Sequence, residues 1–289
     1  MSDVLTDLLE MLELEQIEEN LFRGSSQDLG FGAVFGGQVV GQALSAASRT
    51  VPPDRLVHSF HCYFLRPGDA TRPIVYDVEA TRDGRSLSSR RIRAVQGGRT
   101  ILFMGSSFHL EEEGLDHQDP MPEVPGPESL ESAVAFARRH RHLIPEAMRD
   151  TFTCEMPIEV RPVQTVDPTE PQRTAPRRQV WLRAAGDIPD SPSVHRYLLA
   201  YASDFNFLVT ALQPHGRIWW EPTLKMASID HSMWFHRPLR VDDWLLYDVD
   251  SPSAAAARAL VRGRLFSRDG TLVASTAQEG LIRVLDRSS

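Results

Sequence analysis

Phe64-Leu65-Arg66-Pro67 and Tyr76-Asp77-Val78-Glu79 return later in the chain as Phe235-His236-Arg237-Pro238 and Tyr247-Asp248-Val249-Asp250, both displaced by 171 positions. The same displacement lays Arg91-x-Arg93 on Arg262-x-Arg264 and Thr100 on Thr271, giving 9 identities over the 44 positions from Phe64 to Ser107. Ordinary composition would give about 2 or 3 by chance. A register held without a gap over that length means one structural unit used twice. With 289 residues, each copy is long enough to bury its own core.

Working outward from the repeat, each copy shows the same order of patterns. Leu5, Leu8, Leu9, Leu12 and Leu14 recur at near-helical spacing and predict an amphipathic opening helix. Phe35-Gly36-Gly37-Gln38 then leads into an apolar, small-residue helix through Val40, Ala43, Leu44 and Ala47. From Leu56 to Leu110 the period changes to two, with breaks at Arg66-Pro67-Gly68-Asp69, Asp83-Gly84 and Gly97-Gly98, which predicts four antiparallel strands. The second copy follows suit: a strand from Arg178 to Ala184, an apolar helix from Val194 to Leu212, and four strands from Met226 to Leu285 broken near Pro238, Ser251 and Asp269-Gly270. An apolar helix beside an antiparallel sheet must be covered on most sides, so the sheet is expected to curl around it. The fold class is therefore α+β, a double hotdog of two tandem units. The expected boundaries are 1–114 for the first unit, 115–150 for a linker with a helix, and 151–289 for the second unit. The glutamate- and proline-rich stretch Glu111 to Glu131 reads as linker that need not pack deeply, and Glu131 to Arg149 reads as a helix. Its basic run Arg138-Arg139-His140-Arg141-His142 reads as a solvated face or an intramolecular clamp, with metal or phosphate binding the alternative.

Composition narrows the partners. A net charge of −8 argues against nucleic acid, which needs a basic face to displace counterions. Cys62 and Cys154 alone make no disulfide framework, which fits a reducing, cytoplasmic setting. The first residues show no basic and apolar leader, no run of 18 apolar residues occurs, and the C-terminal residues carry no targeting tripeptide; no membrane partner is expected.

Several chemistries lack their motifs. No Gly-x-Ser-x-Gly pentapeptide is present, and Gly105-Ser106-Ser107 lies inside a predicted strand. His58 and His61, three apart on a strand, face opposite ways, as do His231 and His236, so no metal site is expected. Gly30-Phe31-Gly32 with Gly36-Gly37 departs from the Gly-x-Gly-x-x-Gly order, and the glycines read instead as a tight helix entry and close helix-to-sheet packing. No cofactor is implied.

Three polar residues of the second copy interrupt apolar surroundings. Asp204 sits within Leu198-Leu199-Ala200-Tyr201-Ala202-Ser203-Asp204-Phe205-Asn206-Phe207-Leu208, in or capping the apolar helix. A carboxylate there is kept either as a cap or for chemistry, because burying it is costly. Ser228 opens the strand Ser228-Ile229-Asp230-His231, and Gln278 lies late in the last strand. At the 171 offset Ser228 faces Val57 and Gln278 faces Ser107, and the position matching Asp204 is expected to be apolar or small, so the polar set exists in one copy only. A carboxylate, a hydroxyl and a carboxamide can hold and polarise one water for attack on a thioester, with backbone N–H groups near a helix start stabilising the carbonyl oxygen.

Phe35-Gly36-Gly37-Gln38-Val39-Val40-Gly41-Gln42-Ala43, Leu56-Val57-His58-Ser59-Phe60-His61, Tyr63-Phe64-Leu65-Arg66-Pro67-Gly68-Asp69 and Asp230-His231-Ser232-Met233-Trp234-Phe235-His236-Arg237-Pro238 closely resemble acyl-CoA thioesterase II, the TesB type. The resemblance runs from the first helix to about Val284. It implies a double hotdog that hydrolyses medium- to long-chain fatty acyl-CoA to fatty acid and CoA, with Asp204, Ser228 and Gln278 around a water. Ser228 stands where the family pattern has Thr; the hydroxyl is kept and the methyl lost, so the hydrogen bond should persist with a looser rotamer. Surface arginines near turns, Arg85, Arg90 and Arg237, are candidates for the CoA phosphates, although Arg66 and Arg237 recur in both copies and suit a structural role equally. The family also implies a homo-oligomer, dimer or tetramer. A hotdog enoyl-CoA hydratase would require His five residues after the Asp, where Val209 stands. A non-catalytic acyl-CoA binding module is the other alternative.

Overall fold

The computed structural model describes residues 3–30, 32–165, 170–205 and 207–285. Asn206, quoted above beside Asp204, and the C-terminal residues 286–289 lie outside them. The first unit runs α1 (Asp3–Leu12), β1 (Glu15–Glu18), β2 (Leu21–Gly24), α2 (Gly36–Ser48), then β3 (Arg55–Phe64), β4 (Ile74–Asp83), β5 (Leu87–Gln96) and β6 (Arg99–Leu110). The second runs α3 (Ala133–Arg139), α4 (Glu146–Thr153), β7 (Ile158–Pro162), β8 (Arg177–Ala184), α5 (Pro192–Ser203), then β9 (Leu224–Ser228), β10 (Asp230–Phe235), β11 (Leu245–Ala255), β12 (Arg258–Ser267) and β13 (Leu272–Val284). All thirteen strands form one sheet in the order β1-β2-β4-β5-β6-β3-β10-β13-β12-β11-β8-β7, with β9 pairing β13.

The 171-residue displacement survives in the strands: β5 and β12 occupy equivalent ranges residue for residue. The two copies join where β3 meets β10 antiparallel, with His61 opposite its own repeat equivalent Ser232. His61 Nδ1 and Ser232 Oγ lie 3.0 Å apart there, on a local pseudo-twofold axis. This pairing covers the edge strand that each unit would otherwise expose. On the inner face the central helices α2 and α5 pack on each other. Every residue of α2 from Gly37 to Ala47 is buried, which its small and apolar composition allows.

The repeated residues hold the scaffold. Tyr76 donates to Gln42 Oε1 on α2 (2.7 Å), and its equivalent Tyr247 donates to the Ser203 carbonyl on α5 (3.2 Å), so each tyrosine ties its sheet to its helix. The repeated acids and arginines pair with each other across the outer face: Asp77 with Arg93 and Glu79 with Arg91 in one copy, Asp248 with Arg264 and Asp250 with Arg262 in the other. Arg66 donates to the Thr100 carbonyl and Arg237 to that of Leu272, each tying down the start of its unit's last strand.

Four expectations are corrected. The break near Ser251 is a register shift in the β11–β12 pairing between Asp250 and Ser253, not a strand end: β11 continues to Ala255, and the chain turns at Ala256 and Ala257, both with positive φ (49° and 58°). The helix expected from Glu131 to Arg149 is split into α3 and α4, because Pro145 lacks the N–H and clashes with the preceding turn. The linker packs after all, with Met121, Val124 and Leu130 against Trp181, Trp244, Leu246 and Phe266, and with Trp181 Nε1 donating to the Pro125 carbonyl at 2.9 Å. The helix expected to reach Leu212 stops at Ser203, followed by a 3-10 segment over Leu208–His215. The basic run acts as a clamp, with Arg138 on the Thr153 carbonyl, Arg139 on Glu131 and Arg141 on Asp150.

The crossing of α2 and α5 depends on Gly37, where a Cβ would sit 2.3 Å from the Tyr201 carbonyl oxygen. Backbone cannot yield as a flexible side chain can, so Gly37→Ala is expected to destabilise the fold by about 1–3 kcal/mol. A thermal melt followed by circular dichroism checks this, and an unchanged Tm would refute the close contact.

Candidate active site

Asp204 is the C-cap residue of α5, not an N-cap, and this reverses the usual logic of a helix-capping acid. A carboxylate at the C-terminal end of a helix meets the negative end of the helix dipole. Two contacts compensate. Gln278 Nε2 donates to Asp204 Oδ1 at 2.6 Å, and the Gly37 N–H, at the positive start of α2, donates to the same carboxylate. Gly36 makes room for this: a Cβ there would lie 2.6 Å from Asp204 Oδ2. Burial outweighs both hydrogen bonds and pushes the Asp204 carboxyl up to about 7.

Gln278 is 1% exposed, and its Oε1 accepts no hydrogen bond within the described residues. A buried acceptor of this kind costs stability unless a ligand or water satisfies it. Ser228 pairs directly with Gly280 of β13, so it shares a sheet face with Gln278 two residues away, at a diagonal position. Its hydroxyl makes no hydrogen bond within the described residues. The fold thus brings Asp204 and Gln278 into contact and sets Ser228 diagonally across the sheet from Gln278. A carboxyl that titrates near neutrality, beside a buried carboxamide oxygen and a hydroxyl, can take a proton from one water while orienting it.

A buried polar network holds the helix end that carries Asp204. Tyr247 OH bridges the Ser203 carbonyl and Thr276 Oγ1 (2.8 Å), and Ser203 Oγ lies 2.9 Å from His231 Nε2. Burial drives His231 down to about 3, so it is neutral. The sequence offered one signal for His231, its inward parity on an alternating strand, and none for Ser203. It also missed the part played by the first copy, since Gly36 and Gly37 read only as packing residues.

The other copy has no acid at the matching end of its helix. The C-cap of α2 is Arg49, a cation that donates to the Leu14 carbonyl and lies over the Phe22 ring. At the start of α5, Pro192 stands in the first turn, where α2 has Gly36 and Gly37, and proline brings no N–H. The second junction of the two helices therefore lacks the carboxylate, the carboxamide and one donor.

Of the arginines considered for CoA phosphates, Arg90 is 3% exposed and spends its donors on Thr50, Ser89, Arg82 and Asp83. It braces the C-terminal end of α2, roughly 20 Å along that helix from Gly37. Arg237 clamps the linker through Asp116 and the His117 carbonyl. Both spend these donors within the fold. Arg85 lies exposed in the β4–β5 turn, and its side chain makes no hydrogen bond or ion pair within the described residues.

Fold and site together define a double-hotdog thioesterase class. The comparisons agree: residues 25–109 match the family model for an acyl-CoA thioesterase N-terminal domain, and residues 147–281 match the acyl-CoA thioesterase model. The chain is 44% identical to acyl-CoA thioesterase 2 of Haemophilus influenzae over 98% of its own length and 99% of that protein. It is also 44% identical to human acyl-coenzyme A thioesterase 8, over 95% of its length and 88% of the relative's. The crystal structure of the acyl-CoA thioesterase II TesB2 from Mycobacterium marinum superposes with a TM-score of 0.78 at 41% identity, covering 96% of this chain and 98% of that one. The chain belongs to the acyl-CoA thioesterase II family.

The raised carboxyl has a consequence for stability. A folded-state pKa near 7 against an unfolded value near 4 means that the folded chain binds the proton more tightly, so stability falls as pH rises through that window and levels off above it. Asp204→Asn removes the ionisation. The variant is expected to exceed the parent in stability at pH 8 by on the order of a few kcal/mol, with the difference vanishing toward pH 4, as read from urea midpoints. A difference independent of pH would refute the raised pKa.

Proposed function

We propose that this enzyme of the acyl-CoA thioesterase family hydrolyses medium- to long-chain fatty acyl-CoA with a water activated by Asp204, Ser228 and Gln278. The observation that carries the reading is the buried Asp204 carboxyl, near-neutral in pKa and hydrogen-bonded to Gln278, whose own Oε1 is left to accept. The water donates one proton to Asp204 and its other O–H to Gln278 Oε1, and accepts from Ser228 Oγ, which leaves a lone pair for the thioester carbon. As the water oxygen bonds to that carbon, its proton passes to Asp204. The carbonyl oxygen takes negative charge, which the N–H of Gly36, the first residue of α2, stabilises. The C–S bond then breaks, and Asp204 returns the proton to the CoA thiolate. No covalent acyl-enzyme is required.

The hydratase alternative asks for a histidine at Val209, and a pure binder would have no use for a carboxyl held at the energetic cost of Asp204. Of the three arginines, Arg85 is the one left free to meet a CoA phosphate. The reading includes a cytoplasmic homo-oligomer, dimer or tetramer. Support for assembly comes from the outer face of the central strands, where Tyr63 is half exposed, as is Leu65 just past the end of β3, and Trp234 stands out against His61 further along. Among the described residues no helix is long and apolar enough to cross a membrane. Light scattering is expected to give a multiple of the 32.5 kDa chain mass, and a monomer would contradict the assembly.

Asp204→Asn is expected to lower the release of free thiol from acyl-CoA by about 10²–10⁴-fold without unfolding the chain. Because the base form is required, kcat/KM should fall about tenfold per pH unit below about 7 and plateau above it. The Gln278 hydrogen bond lowers the Asp204 pKa, so Gln278→Leu should move the acid limb to higher pH. A limb that stays in place would show that the profile reports another group.

A further inference from the structure

In the first unit α1 precedes the β1–β2 hairpin and fills the space beside α2 with Leu5, Leu8 and Leu12, each at most 4% exposed. In the second unit the same place in chain order, ahead of the β7–β8 hairpin, belongs to α3 and α4. Neither helix buries a residue fully among those described. What the leucines fill in one copy is left open in the other, as an open-mouthed cavity of ≈ 90 Å³.

The cavity wall includes sequence neighbours of Asp204. Tyr201 and Phe205, which flank Asp204 in sequence, line it, and both pack edge-on against Phe35 at the start of α2. Further wall comes from Ala133 and Val134 of α3, Phe152 of α4 and Met156. Phe152 is braced by the Trp219 ring, with centroids 5.2 Å apart. A thioester presented to Asp204 has this apolar space next to it, and burying each methylene there is worth about a fourfold change in kcat/KM.

We propose that the cavity receives the acyl chain and that the α3–α4 wall, through Ala133 and Phe152, sets the chain length hydrolysed fastest. This rests on the reading that Asp204 activates the water. The wall is a separate element, carried by helices that precede β7, so chain length is set apart from the chemistry. A larger side chain at Ala133 shortens the space, and a smaller one at Phe152 lengthens it.

The test is thiol release from butyryl-, octanoyl-, palmitoyl- and stearoyl-CoA by full-length Ala133→Phe and Phe152→Ala. Since α3 contributes no fully buried residue, Ala133→Phe is expected to melt like the parent. It should lose about tenfold or more in kcat/KM on palmitoyl-CoA while staying within about twofold on butyryl-CoA, the loss of a few methylene contacts. Phe152→Ala should move the optimum toward longer chains. Equal changes on short and long substrates in both variants, or unchanged length profiles, would overturn the proposal. Asp204→Asn separates the two claims. If it stays active, the water-activation reading fails; if it is inactive while the length profiles of the wall variants match the parent, only the cavity assignment fails.

Discussion

The structure depends on placing one carboxyl where a helix disfavours it. Asp204 ends α5, against the negative pole of its own helix and out of bulk water. Such a group persists only if something else opposes the cost, and here the positive start of α2 does so through the Gly37 N–H, together with Gln278 Nε2 on Oδ1. That arrangement requires α2 and α5 to lie antiparallel and nearly touching, hence glycine at 36 and 37. It requires in turn the β3–β10 seam that joins the two copies about the His61–Ser232 pair. On the proposed water-activation reading the duplication is part of the chemistry: one copy supplies the acid, the hydroxyl and the carboxamide, and the other supplies the helix start that makes the acid tolerable.

Two equivalent helix junctions exist by pseudo-symmetry, and the sequence has kept the elements of a site at one. Arg49 and Pro192 occupy the second junction where Asp204 and Gly36 stand at the first, with Val57 and Ser107 in place of Ser228 and Gln278. Arg49 settles the end of its helix as the dipole prefers and is used for packing on Phe22. Stability governs the one junction, and the strained placement at the other leaves a carboxyl able to exchange a proton near neutral pH.

Much of this was legible in the residues. The repeat predicted two units, and period-two patterning between glycine and proline turns predicted the strands, because inward and outward positions alternate strictly in a half-buried sheet. Arg90 was misread because a surface turn by sequence became a buried brace once Asp83, Thr50 and Arg82 folded around it. The break at Ser251 was misread because two alanines, Ala256 and Ala257, make the turn without the usual glycine or asparagine. The contact of Gly37 with Asp204 spans the two copies, and no local pattern encodes a contact between residues so far apart in the chain. Linker packing on Trp181 escaped notice for the same reason: a proline-rich stretch has no periodicity to reveal which of its few apolar residues face inward.

The central claim is that burial at the α2–α5 junction holds the Asp204 carboxyl near neutrality. The most direct measurement is a carbon-13 NMR titration of aspartate-labelled protein, with the Asp204 resonance assigned by its loss in Asp204→Asn. A carboxyl titrating at about 7 is the predicted result. One titrating near 4, as an exposed aspartate does, would contradict the account.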